Sequence, residues 1–202
     1  MDNPYIRLAQ QAIEHYLRTG RVLETPTNLP KEMLSKRAGV FVSIHTKSGE
    51  LRGLPRRHAL ATRGRRPREQ VSVLRGCIGT FLPTKPSIAQ EIIANAISSA
   101  VHDPRFPPVS EEELPDLVYS VDILSEPKKL DAKRYTLDPK NYGLIVSTPD
   151  GRRGLLLPDI PGVNTPEEQF RICCYKAGIH PEEKVVLHIF TVTRHAEKHA
   201  QC

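Results

Sequence analysis

The sequence predicts an α+β fold, with helices laid against a largely antiparallel sheet. Apolar residues recur at three- and four-residue spacings over 5–17, 88–100 and 166–177, the mark of helices with one buried stripe. Residues 40–45, 117–125 and 184–194 read as strands by alternation or by apolar, β-branched content. The resulting order of helix, hairpin, helix, strand, hairpin, helix, strand is neither a repeated βαβ series nor an all-β chain. With 202 residues, 39% of them hydrophobic and 26% charged, 1–202 is expected to form a single domain with one sizeable core or a core with a small attached lobe.

Taken in order, Tyr5, Leu8, Ala9, Ala12, Ile13, Tyr16 and Leu17 form the first apolar stripe, and Gly20 is a stop signal. A turn-rich stretch from Thr25 to Pro30 follows. Residues 39–52 read as a hairpin, with Val40, Val42 and Ile44 alternating against Phe41, Ser43 and His45 before a Thr46–Gly49 turn. Cys77–Phe81 is a short strand or tight entry into a loop. Ser87 or Thr84 is expected to cap a helix whose stripe is Ile88, Ile92, Ile93, Ala96, Ile97 and Ala100, ending near His102. The prolines of HDPRFPP (102–108) enforce an extended connection, and Ser110–Leu114 starts one helical turn. Over 117–125 the set Leu117, Tyr119, Val121 and Ile123 is expected to face the core, against Val118, Ser120, Asp122 and Leu124. Residues 143–148 and 154–157 form a hairpin across Pro149–Gly154. Asn164 or Thr165 leads into a helix at Pro166 that groups Phe170, Cys174 and Ala177 and stops at Gly178. KVVLHIFTVTR (184–194) reads as one late strand.

The net charge of +6 suggests a nucleic-acid partner until the charge is located. Residues 54–76 alone hold seven arginines, one glutamate and no lysine, and the remaining 179 residues balance at 22 basic and 22 acidic groups. Leu51-Arg52-Gly53 recurs as Leu74-Arg75-Gly76, so 54–76 reads as a basic insertion. Its breakers and like charges oppose packing, and it is expected to be exposed or disordered, or else to serve as an arm for a nucleic acid. No apolar run is long enough for a membrane span, and the polar start lacks the order of a signal peptide. Cys77, Cys173, Cys174 and Cys202 make no CxxC pair or disulfide framework, which fits a reducing cytoplasm.

Cys77 is the sharpest chemical candidate. It lies beside Gly76 and near Arg75, where positive charge lowers a thiol pKa; the alternative is a small packed hydrophobe. His45 or His102 would serve as base, Asp103 would orient the imidazole, and Arg105 or Arg75 would bind an anionic substrate. Asp103 reads equally as a local turn acceptor and Arg105 as a cation satisfying loop carbonyls. No HExxH, GxxxxGK or GxGxxG pattern is present, which disfavours the common metalloproteases, P-loop ATPases and Rossmann oxidoreductases. No metal ligands are assigned, and the sequence names no cofactor.

LRGCIGTF (74–81), HDPRFPP (102–108) with ELP (113–115), YSVDILSEP (119–127), YGLIV (142–146), GLLLPDIPGVNTPEEQ (154–169) and KAGI (176–179) together resemble the AMMECR family over nearly the whole chain. That resemblance implies an α+β fold with a larger sheet-containing part and a smaller lobe, the motif loops lining a cleft between them. It also implies a cytoplasmic prokaryotic protein, often encoded near Memo-like and radical-SAM proteins. The family residues carried over are Arg75, Gly76, Cys77, Gly79, Asp103, Arg105, Phe106 and Pro107, with Cys77 the suspected active group. The 54–76 block departs from the family, which passes from its hairpin directly into one LRGCIG motif. The functions to be separated are a cysteine-dependent transferase or hydrolase acting on a small anionic substrate, a noncatalytic adaptor for a protein or metabolite, and nucleic-acid binding through the insertion.

Overall fold

A computed structural model describes residues 3–47, 72–130 and 137–197. They form an α+β fold with two four-stranded sheets flanked by helices, one with its strands in the order β2 (Val73–Thr80), β1 (Val40–Thr46), β3 (Leu117–Leu124), β8 (Val192–Ala196) and the other β4 (Lys128–Leu130), β7 (Val186–Phe190), β5 (Gly143–Ser147), β6 (Arg153–Leu156). The chain divides into two compact units, Met1–Asp122 with Arg194–Gln201, and Ile123–Thr193.

In the first unit, α1 (Pro4–Thr19) buries the expected stripe, including Leu8, Ala9, Ala12 and Ile13. Asn3 caps its start by accepting from the Tyr5 N–H at 3.0 Å, and Gly20 ends it at φ 69°, a left-handed conformation that glycine adopts without steric strain. A short α2 (Lys31–Ser35) follows, which the sequence pattern does not announce. β1 (Val40–Thr46) pairs antiparallel with β2 (Val73–Thr80), so the expected 39–52 hairpin is corrected: the partner strand comes from 73–80, the second copy of the Leu-Arg-Gly triplet. This also corrects the far end of the expected exposed block, because 73–76 are strand and Arg75 is buried. Residues 54–71 lie outside the described residues.

Ser87 caps α3 (Ile88–Val101), accepting from the Gln90 N–H at 3.3 Å, and the helix packs on α1 and on both β1 and β2. Burial of Ile88, Ile92, Ile93 and Ile97 on α3 and of Val40, Val42 and Ile44 on β1 supplies the driving force, at about 1.5–3 kcal/mol for each large aliphatic side chain. A 3-10 turn, Glu111–Asp116, leads into β3 (Leu117–Leu124). Leu117, Tyr119 and Val121 of the set expected to face the core are buried and Ile123 of that set is half-buried, while the opposite set is buried as well.

The second unit holds β4 (Lys128–Leu130), the antiparallel hairpin β5 (Gly143–Ser147) and β6 (Arg153–Leu156), α4 (Pro166–Ala177) and β7 (Val186–Phe190). Its core gathers Leu144, Val146, Leu156, Cys173, Cys174 and Leu187, so α4 buries Cys173 as well as the expected Cys174, while Phe170 and Ala177 pack partly buried against it. The single late strand expected over 184–194 is two: β7 belongs to one sheet and β8 (Val192–Ala196) to the other.

Candidate functional site

The site is built on β2, the edge strand of its sheet. Ser43 stands opposite Cys77 and Ile44 opposite Gly76, but His45 stands opposite Leu74, so Arg75 is the extra residue of a bulge. Arg75 is buried, donating to Glu113 through Nε at 2.7 Å and Nη2 at 3.0 Å and to the carbonyls of Pro107 and Pro108 at 3.0 and 3.3 Å. A Cβ on Gly76 would overlap the Ser99 carbonyl oxygen, so glycine here is what lets α3 lie against the strand. A Cβ on Gly79 would overlap the Phe41 ring.

An edge strand exposes N–H groups that need partners. On the side facing β1, the Ile78 N–H donates to Ser99 Oγ at 2.8 Å and that hydroxyl donates to the carbonyl of its register partner Val42 at 2.8 Å, so the edge-facing N–H is that of Cys77. The Cys77 N–H donates to Asp103 Oδ2 at 2.8 Å. Asp103 also receives the Arg105 N–H at 3.1 Å, Nε at 2.9 Å and Nη2 at 2.6 Å, while Nη2 donates to the Cys77 carbonyl at 3.1 Å. Asp103 and Arg105 thus grip the amide and the carbonyl of the same residue. These bonds to Arg105, outweighing burial, hold the Asp103 carboxyl at about 2.

Cys77 is half-buried, and its Sγ receives the Ser43 hydroxyl at 3.1 Å. Burial pushes the thiol up; Ser43 and Arg105 pull it down, and Asp122 and Asp103 reinforce the rise. The thiol is therefore un-ionised at neutral pH. No imidazole is among its hydrogen-bond partners within the described residues. His45 is buried, and burial together with the Arg194 guanidinium lowers its pKa. His102 is exposed at the C-cap of α3. The structure thus brings Cys77, Asp103 and Arg105 together, sets Phe106 5.5 Å beneath the Arg105 guanidinium, and joins neither His45 nor His102 to the thiol by a hydrogen bond.

Sequence reasoning missed three contributors. Ser43 touches the sulfur, Asp122 acts on its ionisation, and Arg194 grips Asp122 at 2.8 and 2.9 Å. The signal was available: Ser43 and His45 on β1, and Ser120 and Asp122 on β3, are polar at every second position of otherwise apolar strands, and all four are buried. A groove of about 730 Å³ lined by Val22, Leu23, Lys85, Pro86, Ile93 and Ile97 among others shares no residue with this cluster. Among the described residues no group of three or more His, Cys, Asp or Glu side chains could hold a metal, and no helix is long and apolar enough to cross a membrane.

The AMMECR1 family model matches residues 6–54 and 64–195. The chain belongs to the AMMECR1 family. A protein of Thermotoga maritima is 47% identical over 96% of this chain and 98% of its own length. Protein CA_C1420 of Clostridium acetobutylicum is 42% identical over 96% of this chain, which spans only 36% of that longer protein. The crystal structure of protein PH0010 from Pyrococcus horikoshii superposes with a TM-score of 0.75 at 34% identity, covering 96% of this chain and 90% of that one.

Proposed function

We propose that this AMMECR1-family chain is a noncatalytic adaptor that binds a small anionic ligand at the Cys77, Arg105 and Phe106 patch. One observation carries the reading. Arg105 is fixed by the buried Asp103 carboxylate and the Cys77 carbonyl, yet its side chain is 53% exposed. A guanidinium held in one orientation with an open edge loses little entropy on receiving a carboxylate or phosphate. The neighbouring thiol, whose pKa burial raises and whose hydrogen-bond partners among the described residues include no imidazole, supplies a contact rather than a nucleophile.

Titration calorimetry with a panel of inorganic phosphate, malonate and succinate tests the adaptor. At least one anion is expected to bind the wild type, to bind Cys77→Ser comparably, and to bind Arg105→Lys at least ten-fold more weakly, because the arginine holds Asp103 and the Cys77 carbonyl through Nε and Nη2 and still presents Nη1, whereas one ammonium cannot do both. The second reading, a cysteine-dependent transferase or hydrolase, is favoured by the Ser43 hydroxyl at the sulfur. Turnover of a small anionic thioester that disappears in Cys77→Ser would replace the adaptor with that enzyme. The nucleic-acid reading rests on residues outside the described ones.

A further inference from the structure

We infer that Ser43 is the positioning residue of the Cys77 thiol: from the register position directly across the strand pair, its hydroxyl donates to the sulfur, fixes where Sγ faces and favours its charged form. The inference rests on the Cys77 patch proposed above and deepens it by naming what controls the thiol.

The geometry leaves Ser43 this role. The Cys77 main chain is held at both ends, its N–H by Asp103 at 2.8 Å and its carbonyl by Arg105 at 3.1 Å, so the remaining freedom of the sulfur is rotation about Cα–Cβ. Ser43 Oγ lies 3.1 Å from Sγ, and Ser43 is only 5% exposed, so bulk water competes little for that bond. The charged groups acting on the sulfur oppose one another, Arg105 from the loop after α3 favouring thiolate, and Asp103 beside it and Asp122 on β3 disfavouring it. Ser43 is the one neutral donor in the set. Removing its hydroxyl changes the thiol without changing the net charge of the site, whereas a change at Asp103 or Arg105 also frees the main chain of Cys77.

The isosteric pair Ser43→Thr and Ser43→Val isolates the hydroxyl, because both are β-branched residues that suit a strand and differ only in that group. The experiment is iodoacetamide alkylation of the folded full chain across pH 6–11, quantified by mass spectrometry on the peptide that contains Cys77. The wild type and Ser43→Thr are expected to share a midpoint. Ser43→Val is expected to titrate about one pH unit higher, so that about ten-fold less thiolate is present at each pH below the midpoint. Overlapping profiles for the two variants overturn the inference while leaving the patch intact. Labelling of wild-type Cys77 only after unfolding in urea overturns both. Should Ser43→Val fail to fold, Ser43→Ala against Ser43→Thr gives the same comparison, and coincident midpoints there overturn the inference equally.

Discussion

Glu91 on α3 is 1% exposed, and its carboxylate receives four hydrogen bonds: from the Thr80 and Thr84 hydroxyls at 2.7 and 2.8 Å, and from the main-chain N–H groups of Thr84 and Lys85, both at 2.7 Å. It is the anchor that closes residues 81–87 over the start of α3. Replacing it with glutamine keeps the shape and removes the charge. The amide oxygen can still receive both N–H groups while its NH₂ turns to the two hydroxyls, which rotate to accept. What is lost is the charge-assisted part of two backbone hydrogen bonds, about 1 kcal/mol each from the difference between charged and neutral bonds, or about 2 kcal/mol in all. Alanine leaves the two buried N–H groups without their acceptor and costs about 4 kcal/mol. Burial works to raise the Glu91 pKa, but the four donors outweigh it and hold the group below the ordinary glutamate value. A lowered folded pKa means the contribution is present above the unfolded value and is lost as pH falls through the folded one. Urea denaturation at pH 7 and at stepwise lower pH therefore has a defined outcome: Glu91→Gln trails the wild type by about 2 kcal/mol at pH 7 and the gap narrows on acidification. A Glu91→Gln protein within 0.5 kcal/mol of wild type at pH 7, or a gap that stays constant on acidification, refutes the reasoning.

Arg75→Met is expected to destabilise the fold by about 3 kcal/mol, since it strands the Glu113 carboxylate and two proline carbonyls, and Arg75→Lys to recover only part because it cannot bridge both carboxylate oxygens; denaturant midpoints of the two variants decide this. Asp103→Asn is expected to lose stability at pH 7, where the carboxylate is charged, and to approach the wild type as pH falls toward about 2, its folded pKa. Thermal unfolding of both proteins between pH 2 and 7 measures that convergence, and parallel curves would remove the carboxylate from its assigned role.

Helices α1, α3 and α4 were the most legible elements, because each carries its own punctuation: Asn3 and Gly20, Ser87 and His102, Thr165 and Gly178 bracket them close to where periodicity and stop signals placed them, whereas the five-residue α2 has no side-chain cap and went unread. The strands were legible as strands but not as partners. Val40–Thr46 finds its mate in Val73–Thr80, in a register that no local turn signal encodes, and 184–194 divides between two sheets at Thr191 without a breaker to mark the change. The candidate site was legible in part. Cys77, Asp103 and Arg105 were each named as candidates and lie together, with Asp103 on the Cys77 main chain and not on an imidazole, but Ser43 reaches the sulfur only through a cross-strand pairing, and Asp122 and Arg194 find each other 72 residues apart. Residue type and spacing mark such positions as polar groups on a strand face but do not pair them until the register is fixed.

The meeting of the two motifs is itself a packing result. LRGCIGTF and HDPRFPP are separated by α3, and where that helix ends decides whether Asp103 reaches the Cys77 amide. Gly76 admits the helix backbone to the strand, and Ser99 then ties the helix to both strands at once, to Val42 on β1 and to Ile78 on β2. With Ser99 fixed, the next turn and its cap deliver Asp103 four residues later, at the edge of the strand whose N–H it accepts. Gly76 and Ser99 therefore act on the thiol without touching it. A side chain at position 76 would push α3 outward, lengthen the Asp103 bond to Cys77, and release the Arg105 fork that the same carboxylate holds, so the site would lose its geometry while every residue named for its chemistry stayed in the sequence.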